Sequence, residues 1–207
     1  YDKDIDVIVA SHPHADHIVG LISVLERYEV KNIIEAKELY NSSEFGAWQE
    51  TVKNENANNI EAVAGKVIDM GDGVTLTILH PFESVVGDNP KNPHDDVVVM
   101  MLKYGDFEVM LTGDMETKVE RRLIMKGYNL DSDFLKVGHH GSHTSTSQSF
   151  LGYISPTYAV ISSGVGNQYG HPHEEVLGIL NKFGVKTFRT DTDGTVVFRS
   201  DGEQLAV

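Results

Sequence analysis

Histidine is distributed unevenly along this chain of 207 residues: of ten imidazoles, three fall in 12–17, three in 139–143 and two in 171–173. The first cluster, Ser11-His12-Pro13-His14-Ala15-Asp16-His17, stands where a β-branched apolar run over 5–10 gives way to helical spacing. In extended backbone, His12 and His14 lie two apart and project to one side. Asp16 and His17, adjacent on a first helical turn, point in different directions and reach a second position beside the first. Two imidazoles for one ion, and a carboxylate plus an imidazole for its neighbour, is the donor pattern of a two-metal hydrolytic site. The bland alternative is an N-cap Asp among surface histidines. Four ligand-type residues within six positions at a strand end outweigh it.

The elements that must carry these donors follow from the apolar spacing. The opening reads as strand 5–10, helix 15–28 through Ile18, Leu21, Ile22 and Leu25, and strand 32–34. A second helix is predicted over 43–56. Short strands follow around Val67 and over 74–79, 97–102 and 107–111, divided by turn signals such as Gly71-Asp72-Gly73. Alternation then resumes: helix 116–126, strand 134–137, helix 149–154, strand 158–162, helix 174–183, and strands 186–189 and 195–199. A layered α/β fold is expected. The irregular stretch 80–96 carries three prolines, and loops of that length in compact domains are usually functional.

Composition narrows the chemistry. The 31 acidic residues against 17 Lys and Arg leave a net charge of −14, which excludes nucleic-acid binding through bulk charge. With no cysteine, any metal must be held by histidine and carboxylate, and disulfides are excluded. That donor set suits zinc, manganese or iron. No long apolar run suggests a membrane span, so a soluble domain is expected, in the cytoplasm or on the outer face of a bacterial membrane.

The run His12-Pro-His14-Ala-Asp16-His17 resembles the HxHxDH signature of the metallo-β-lactamase fold hydrolases. Leu111-Thr-Gly-Asp114, Val137-Gly-His139-His140-Gly-Ser142 and Tyr169-Gly-His171-Pro-His173 are similar to the branch of that family found as a domain of the competence protein ComEC. The resemblance runs from Ile5 to about Arg199, with four motifs in order. It implies an α/β fold, an αββα sandwich with a metal site at one edge. It also implies two divalent ions, zinc or manganese, and a phosphodiester substrate, DNA. DNA uptake in competence would be the setting, with a membrane channel domain in a longer natural chain. Members of that branch usually begin with strands carrying an Asp-Val-Gly-Gln-Gly-Asp type motif. Its absence leads to the expectation that residues 1–207 form a single hydrolase domain, N-terminally incomplete relative to the family.

Further donors take their roles in this frame. Asp114 ends an apolar strand at Gly113, from where a carboxylate can bridge two cations; on its own it would read as a turn or capping residue. His140 is expected to complete the shell of the second ion, with His139 as substitute. Hydrolases of this fold usually carry a lone histidine in the loop that here holds His94, which is either a third ligand for the first ion or a solvated loop residue. His171 and His173 are assigned to substrate contact or proton transfer alongside His139, and Asp16 to orienting the attacking water. Ser142 is a candidate phosphate-binding hydroxyl or a helix start. Lys118, Arg122 and Lys126, four apart, form a basic stripe that either meets DNA or is a solvated face. His80 is taken as structural. The rival readings are a small-ester or lactone hydrolase of the same fold and a metal-depleted binding or regulatory domain.

Overall fold

The computed structural model describes residues 4–203, 205 and 206. The chain divides into two compact units, Tyr1–Ala64 with His80–Val98, and Gly65–Leu79 with Val99–Val207. The fold class is α/β, as the alternating pattern predicts. Among the described residues, no helix is long and apolar enough to cross a membrane.

In the first unit, β1 (Asp4–Val9), α1 (Ala15–Leu25), β2 (Glu29–Glu35), α2 (Ser43–Asn54) and β3 (Asn58–Glu61) form a parallel sheet in the order β1-β2-β3. Register pairs Val9 with Ile34 and Ile34 with Ile60. Parallel neighbours need crossovers, which the two helices supply. Their apolar faces bury Ile18, Leu25, Phe45 and Trp48 against Ile8, Val30 and Ile33. Trp48 also has its indole N–H satisfied, donating to Glu35 Oε2 at 2.8 Å. The strand β3 is polar, Asn-Asn-Ile-Glu, and nothing in its pattern predicted it.

The second unit contains β4 (Val67–Gly71), β5 (Val74–His80), β6 (Val99–Tyr104), β7 (Phe107–Leu111), α3 (Thr117–Lys126), β8 (Phe134–Lys136), α4 (Gln148–Ile154), β9 (Tyr158–Ile161), α5 (Glu174–Lys182), β10 (Lys186–Arg189), α6 (Thr190–Asp193), β11 (Arg199–Ser200) and β12 (Leu205–Ala206). Seven strands form one sheet in the order β10-β9-β8-β7-β6-β5-β4. The hairpins β4–β5 and β6–β7 are antiparallel, whereas β7 through β10 run parallel and are linked by α3, α4 and α5. Met110, Leu123, Leu135, Phe150, Leu151 and Ile161 are almost fully buried in its core. The carboxyl ends of β7, β8 and β9 therefore lie side by side, where loops of parallel strands gather functional groups.

Two expectations are corrected. Among the described residues, the strand expected over 195–199 does not form; only Arg199–Ser200 pairs, with Leu205–Ala206, and Phe198 instead packs edge-to-face on Phe134 at 4.6 Å. The strand expected from Val97 begins at Val99, because Val97 closes the short 3-10 turn Pro93–Asp96. His80 is structural as expected: it is buried, and its Nδ1 lies 2.7 Å from the Val97 carbonyl.

Candidate metal centre

In the first unit, the chain leaves β1 extended and His14 becomes the N-cap of α1. The His14 carbonyl accepts the amides of His17 and Ile18, while its side chain makes no cap. The imidazole instead faces two others. His14 Nδ1 lies 3.1 Å from His12 Nε2 and 3.2 Å from His94 Nε2. His12 and His94 are only 3% and 7% exposed. His94 is brought there by its 3-10 turn, whose N-cap Asn92 accepts the His94 amide on Oδ1 at 3.1 Å.

Imidazole nitrogens about 2.0–2.1 Å from a tetrahedral ion sit roughly 3.3 Å apart. The two spacings of this group match that figure, so the three rings fit a divalent cation. His17 lies beside them, its ring 4.1 Å from that of His12 and its Nδ1 3.3 Å from Ser11 Oγ. Asp16 Oδ2 is 3.6 Å from His17 Nε2, on a side chain 62% exposed. Tyr40 meets His14 edge-on at 5.4 Å.

A cavity of about 10 Å³, room for one water, opens beside His12 and is lined by Glu35, Glu38 and Trp48 among others. Glu38 is 4% exposed. Burial, opposed by its backbone hydrogen bond and reinforced by the charges of Asp96 and Glu35, pushes its carboxyl up to about 7.

In the second unit, Asp114 follows β7 and is 2% exposed. After β8 the chain enters the turn Gly138–Gly141, in which His139 (φ 45°, ψ 48°) and His140 (φ 53°, ψ 21°) both adopt the left-handed conformation. Two successive non-glycine residues there are strained, and such strain persists only where surroundings over-determine it. Here Ser145 Oγ donates to the Gly138 carbonyl at 2.8 Å and the Ser142 amide to the His139 carbonyl at 2.8 Å. A Cβ at Gly138 would stand 2.8 Å from the Met115 carbonyl oxygen, so no larger residue fits.

The turn aims both imidazoles at Asp114. His140 Nε2 lies 3.5 Å and His139 Nε2 3.8 Å from Asp114 Oδ2. His140 Nδ1 donates to the Ser162 carbonyl at 2.7 Å. A neutral His140 therefore turns the lone pair of Nε2 toward a carboxylate oxygen, an arrangement that calls for a cation between them. His139 is tied differently, with Nδ1 3.2 Å from Thr144 Oγ1 and 3.5 Å from Glu116 Oε1.

His171 completes the group, stacked on His140 at 6.3 Å and edge-on to His139 at 5.6 Å. Burial, then the neighbouring imidazoles of His139, His173 and His140, hold its pKa below the usual histidine value. The His173 amide donates to the Gly141 carbonyl at 2.9 Å, and His173 Nδ1 accepts the His143 amide at 3.0 Å. Ser142 is 3% exposed, its hydroxyl 3.1 Å from that of Thr144, so it shapes the turn. Lys118 and Lys126 are exposed on α3, with Arg122 half-buried between them.

Sequence reasoning overlooked Glu38, Glu116 and Lys136. Glu116 had a signal, two residues beyond Asp114, but read as a helix opening; it is the N-cap of α3. Lys136 sits inside β8 with nothing to mark it. Burial pushes its ammonium pKa down, opposed by the charge of Asp114, and Nζ donates to the Val137 carbonyl at 3.0 Å.

Among known proteins, Bacillus subtilis ComE operon protein 3 is 29% identical over 197 residues, covering 95% of this chain and 25% of that protein. Competence protein ComA of Neisseria gonorrhoeae is 43% identical over 129 residues, covering 61% of this chain and 18% of that one. The chain thus spans about a quarter or less of the length of these relatives. A provisionally assigned metal-dependent hydrolase of Parabacteroides distasonis has a solved structure that superposes with a TM-score of 0.56 at 17% identity, covering 92% of this chain and 78% of that one. Residues 2–165 match the family described as the Metallo-beta-lactamase superfamily, and the chain belongs to that superfamily.

Proposed function

We propose that this hydrolase is a phosphodiesterase acting on DNA and dependent on two divalent ions, zinc or manganese. The observation that carries the reading is the convergence of His12, His14 and His94, whose nitrogens stand 3.1 and 3.2 Å apart, as ligands of one tetrahedral ion do. Kinship with a competence protein supports the choice of DNA.

The donors assigned to the ions are His12, His14, Asp16, His17 and His94 of the first unit, and Asp114 and His140 of the second. Such ions supply Lewis acidity and bring the pKa of a bound water toward neutrality. Asp16 orients the attacking water by accepting its hydrogen bond. His171, whose pKa burial and the neighbouring imidazoles hold below the usual histidine value, offers a ring N–H to a phosphate oxygen. Because His173 Nδ1 accepts the His143 amide, a neutral His173 carries its proton on Nε2 and donates from there. His139 donates to the leaving oxygen. Lys118 and Arg122 hold phosphates away from the scissile bond.

The test is elemental analysis of the purified protein, with hydrolysis of DNA, a small chromogenic phosphodiester and a carboxylic ester, each with manganese, zinc or chelator. Two retained equivalents of metal and metal-dependent DNA cleavage are expected. Turnover of the ester alone would replace the phosphodiester assignment with an ester or lactone hydrolase. Neither metal nor turnover would make the domain a binding module.

A further inference from the structure

Tyr169 belongs to no donor group, yet it is 68% exposed and its ring stacks on that of His171, centroids 5.7 Å apart and planes 25° from parallel. His171 in turn stacks on His140 at 6.3 Å and 17°. Three planar rings therefore succeed one another, from a ring aimed at Asp114 outward to a tyrosine open to solvent. An exposed aromatic ring on a loop is ordinarily mobile and pays side-chain entropy to stack. This loop is fastened instead. Asn167 Nδ2 donates to the His171 carbonyl at 2.6 Å and to the Gly164 carbonyl at 2.9 Å, and the His171 amide donates back to Asn167 Oδ1 at 3.0 Å. Beyond it, a Cβ at Gly141 would stand 2.6 Å from Pro172 Cβ, so the His171-Pro172-His173 segment lies tight against the histidine turn.

We infer that Tyr169 is a stacking platform for a nucleobase of single-stranded nucleic acid, one that flanks the phosphate handled by the histidine turn. The inference rests on the phosphodiester reading and deepens it by naming what the site grips beside the phosphate. A flat, pre-positioned ring suits this role, because every base presents a π-face and stacking asks for no particular sequence. The ring spacings of 5.7 and 6.3 Å put Tyr169 two steps out from His140, clear of the histidine turn, so a base stacked on Tyr169 belongs to a nucleotide beside the phosphate held there. In an acidic chain, stacking also supplies affinity that bulk charge does not.

The test uses short single-stranded oligodeoxynucleotides carrying 2-aminopurine at one position at a time, with fluorescence quenching and cleavage read in parallel. One position should quench on binding to the wild type. Tyr169→Ala should abolish that quench and weaken binding by about tenfold, whereas Tyr169→Phe should retain both. An oligonucleotide made abasic at that position should be bound and cleaved equally by wild type and Tyr169→Ala. If Tyr169→Ala binds, quenches and cleaves as the wild type does, the platform is overturned and the phosphodiester reading stands. If the variant is equally impaired on the abasic strand, Tyr169 acts by positioning His171 and the platform is overturned. If quenching is seen and lost in Tyr169→Ala while no phosphodiester is ever broken, the platform stands and the catalytic reading fails. If wild type neither quenches nor cleaves any oligonucleotide, both fall.

Discussion

His140 donates its Nδ1 proton to the Ser162 carbonyl at 2.7 Å, and that bond decides which nitrogen of the ring faces Asp114. His139, one residue earlier in the same strained turn, has Nδ1 near Thr144 and Glu116 and stands slightly farther from the same carboxylate. Adjacent histidines thus reach Asp114 with different support behind them.

The two should therefore separate on substitution. His140→Ala removes a nitrogen whose orientation is set by its carbonyl partner and should cost one equivalent of bound metal after dialysis. His139→Ala should keep metal content within the wild-type range and lower turnover, by about 10²-fold for loss of a proton donor. Metal analysis beside single-substrate kinetics reads both. Full occupancy in both variants would remove this turn from the ligand set.

Charge reversal at Lys118, Arg122 and Lys126 tests the role of α3. Its buried face is Val119, Glu120 and Leu123, and the exposed Lys118 and Lys126 and the half-buried Arg122 lie outside it. DNA cleavage should weaken strongly, hydrolysis of a small phosphodiester should barely change, and the salt dependence of DNA binding should flatten, since each lost phosphate contact lowers the slope by about one. Identical salt slopes for wild type and variant would make the stripe a solvated face.

Much of the α/β order and of the donor clustering is legible in the sequence, for particular reasons. His12, His14, Asp16 and His17 announce themselves because a strand end and a helix start confine them to six positions. Asp114 and the 139–140 pair were legible because each follows an apolar strand of the parallel half-sheet. His94 stayed ambiguous in sequence, since only the Asn92-capped turn carries it to His14 across 80 residues. Glu38 and Lys136 were invisible because their interest lies in burial, which residue type alone does not reveal. The strand β3 escaped because sheet pairing with β2, not its polar residues, holds it. The expected strand over 195–199 is displaced for another reason: its apolar Phe198 is used in aromatic packing, and among the described residues the backbone pairs at Arg199–Ser200, with Leu205–Ala206.

Glu120 offers a test of the scaffold beneath the histidine turn. It is 1% exposed and accepts the amides of Thr146 and Ser147, where α4 begins. Glu120→Ala would leave one buried and one half-buried donor unmet and should destabilise the protein by about 1–3 kcal/mol. Glu120→Gln, keeping one acceptor, should cost less. Denaturant unfolding of both variants in chelator measures this, and equal midpoints for alanine and wild type would show that the carboxylate is not what holds the turn.

Glu38 predicts a pH dependence whose sign can be worked out. Its carboxyl titrates near 4.5 when unfolded, and burial, which disfavours the charge, raises it to about 7 in the folded protein. Between those values the folded state keeps a proton that the unfolded state has released. Stability contributed by this group is therefore fully present below about pH 4.5, declines as pH rises, and is lost above about 7. Glu38→Gln carries no such charge. In chelator, it should match wild type near pH 4.5 and exceed it near pH 8 by up to the order of 3 kcal/mol, the worth of that shift. Glu120, whose carboxyl burial also raises, titrates in both proteins and cancels in the difference. Urea unfolding at four pH values between 4.5 and 8.5 supplies the curves. If variant and wild type stay parallel across that range, Glu38 does not carry the titration, and the water-sized cavity beside it hydrates the carboxylate better than its burial implies.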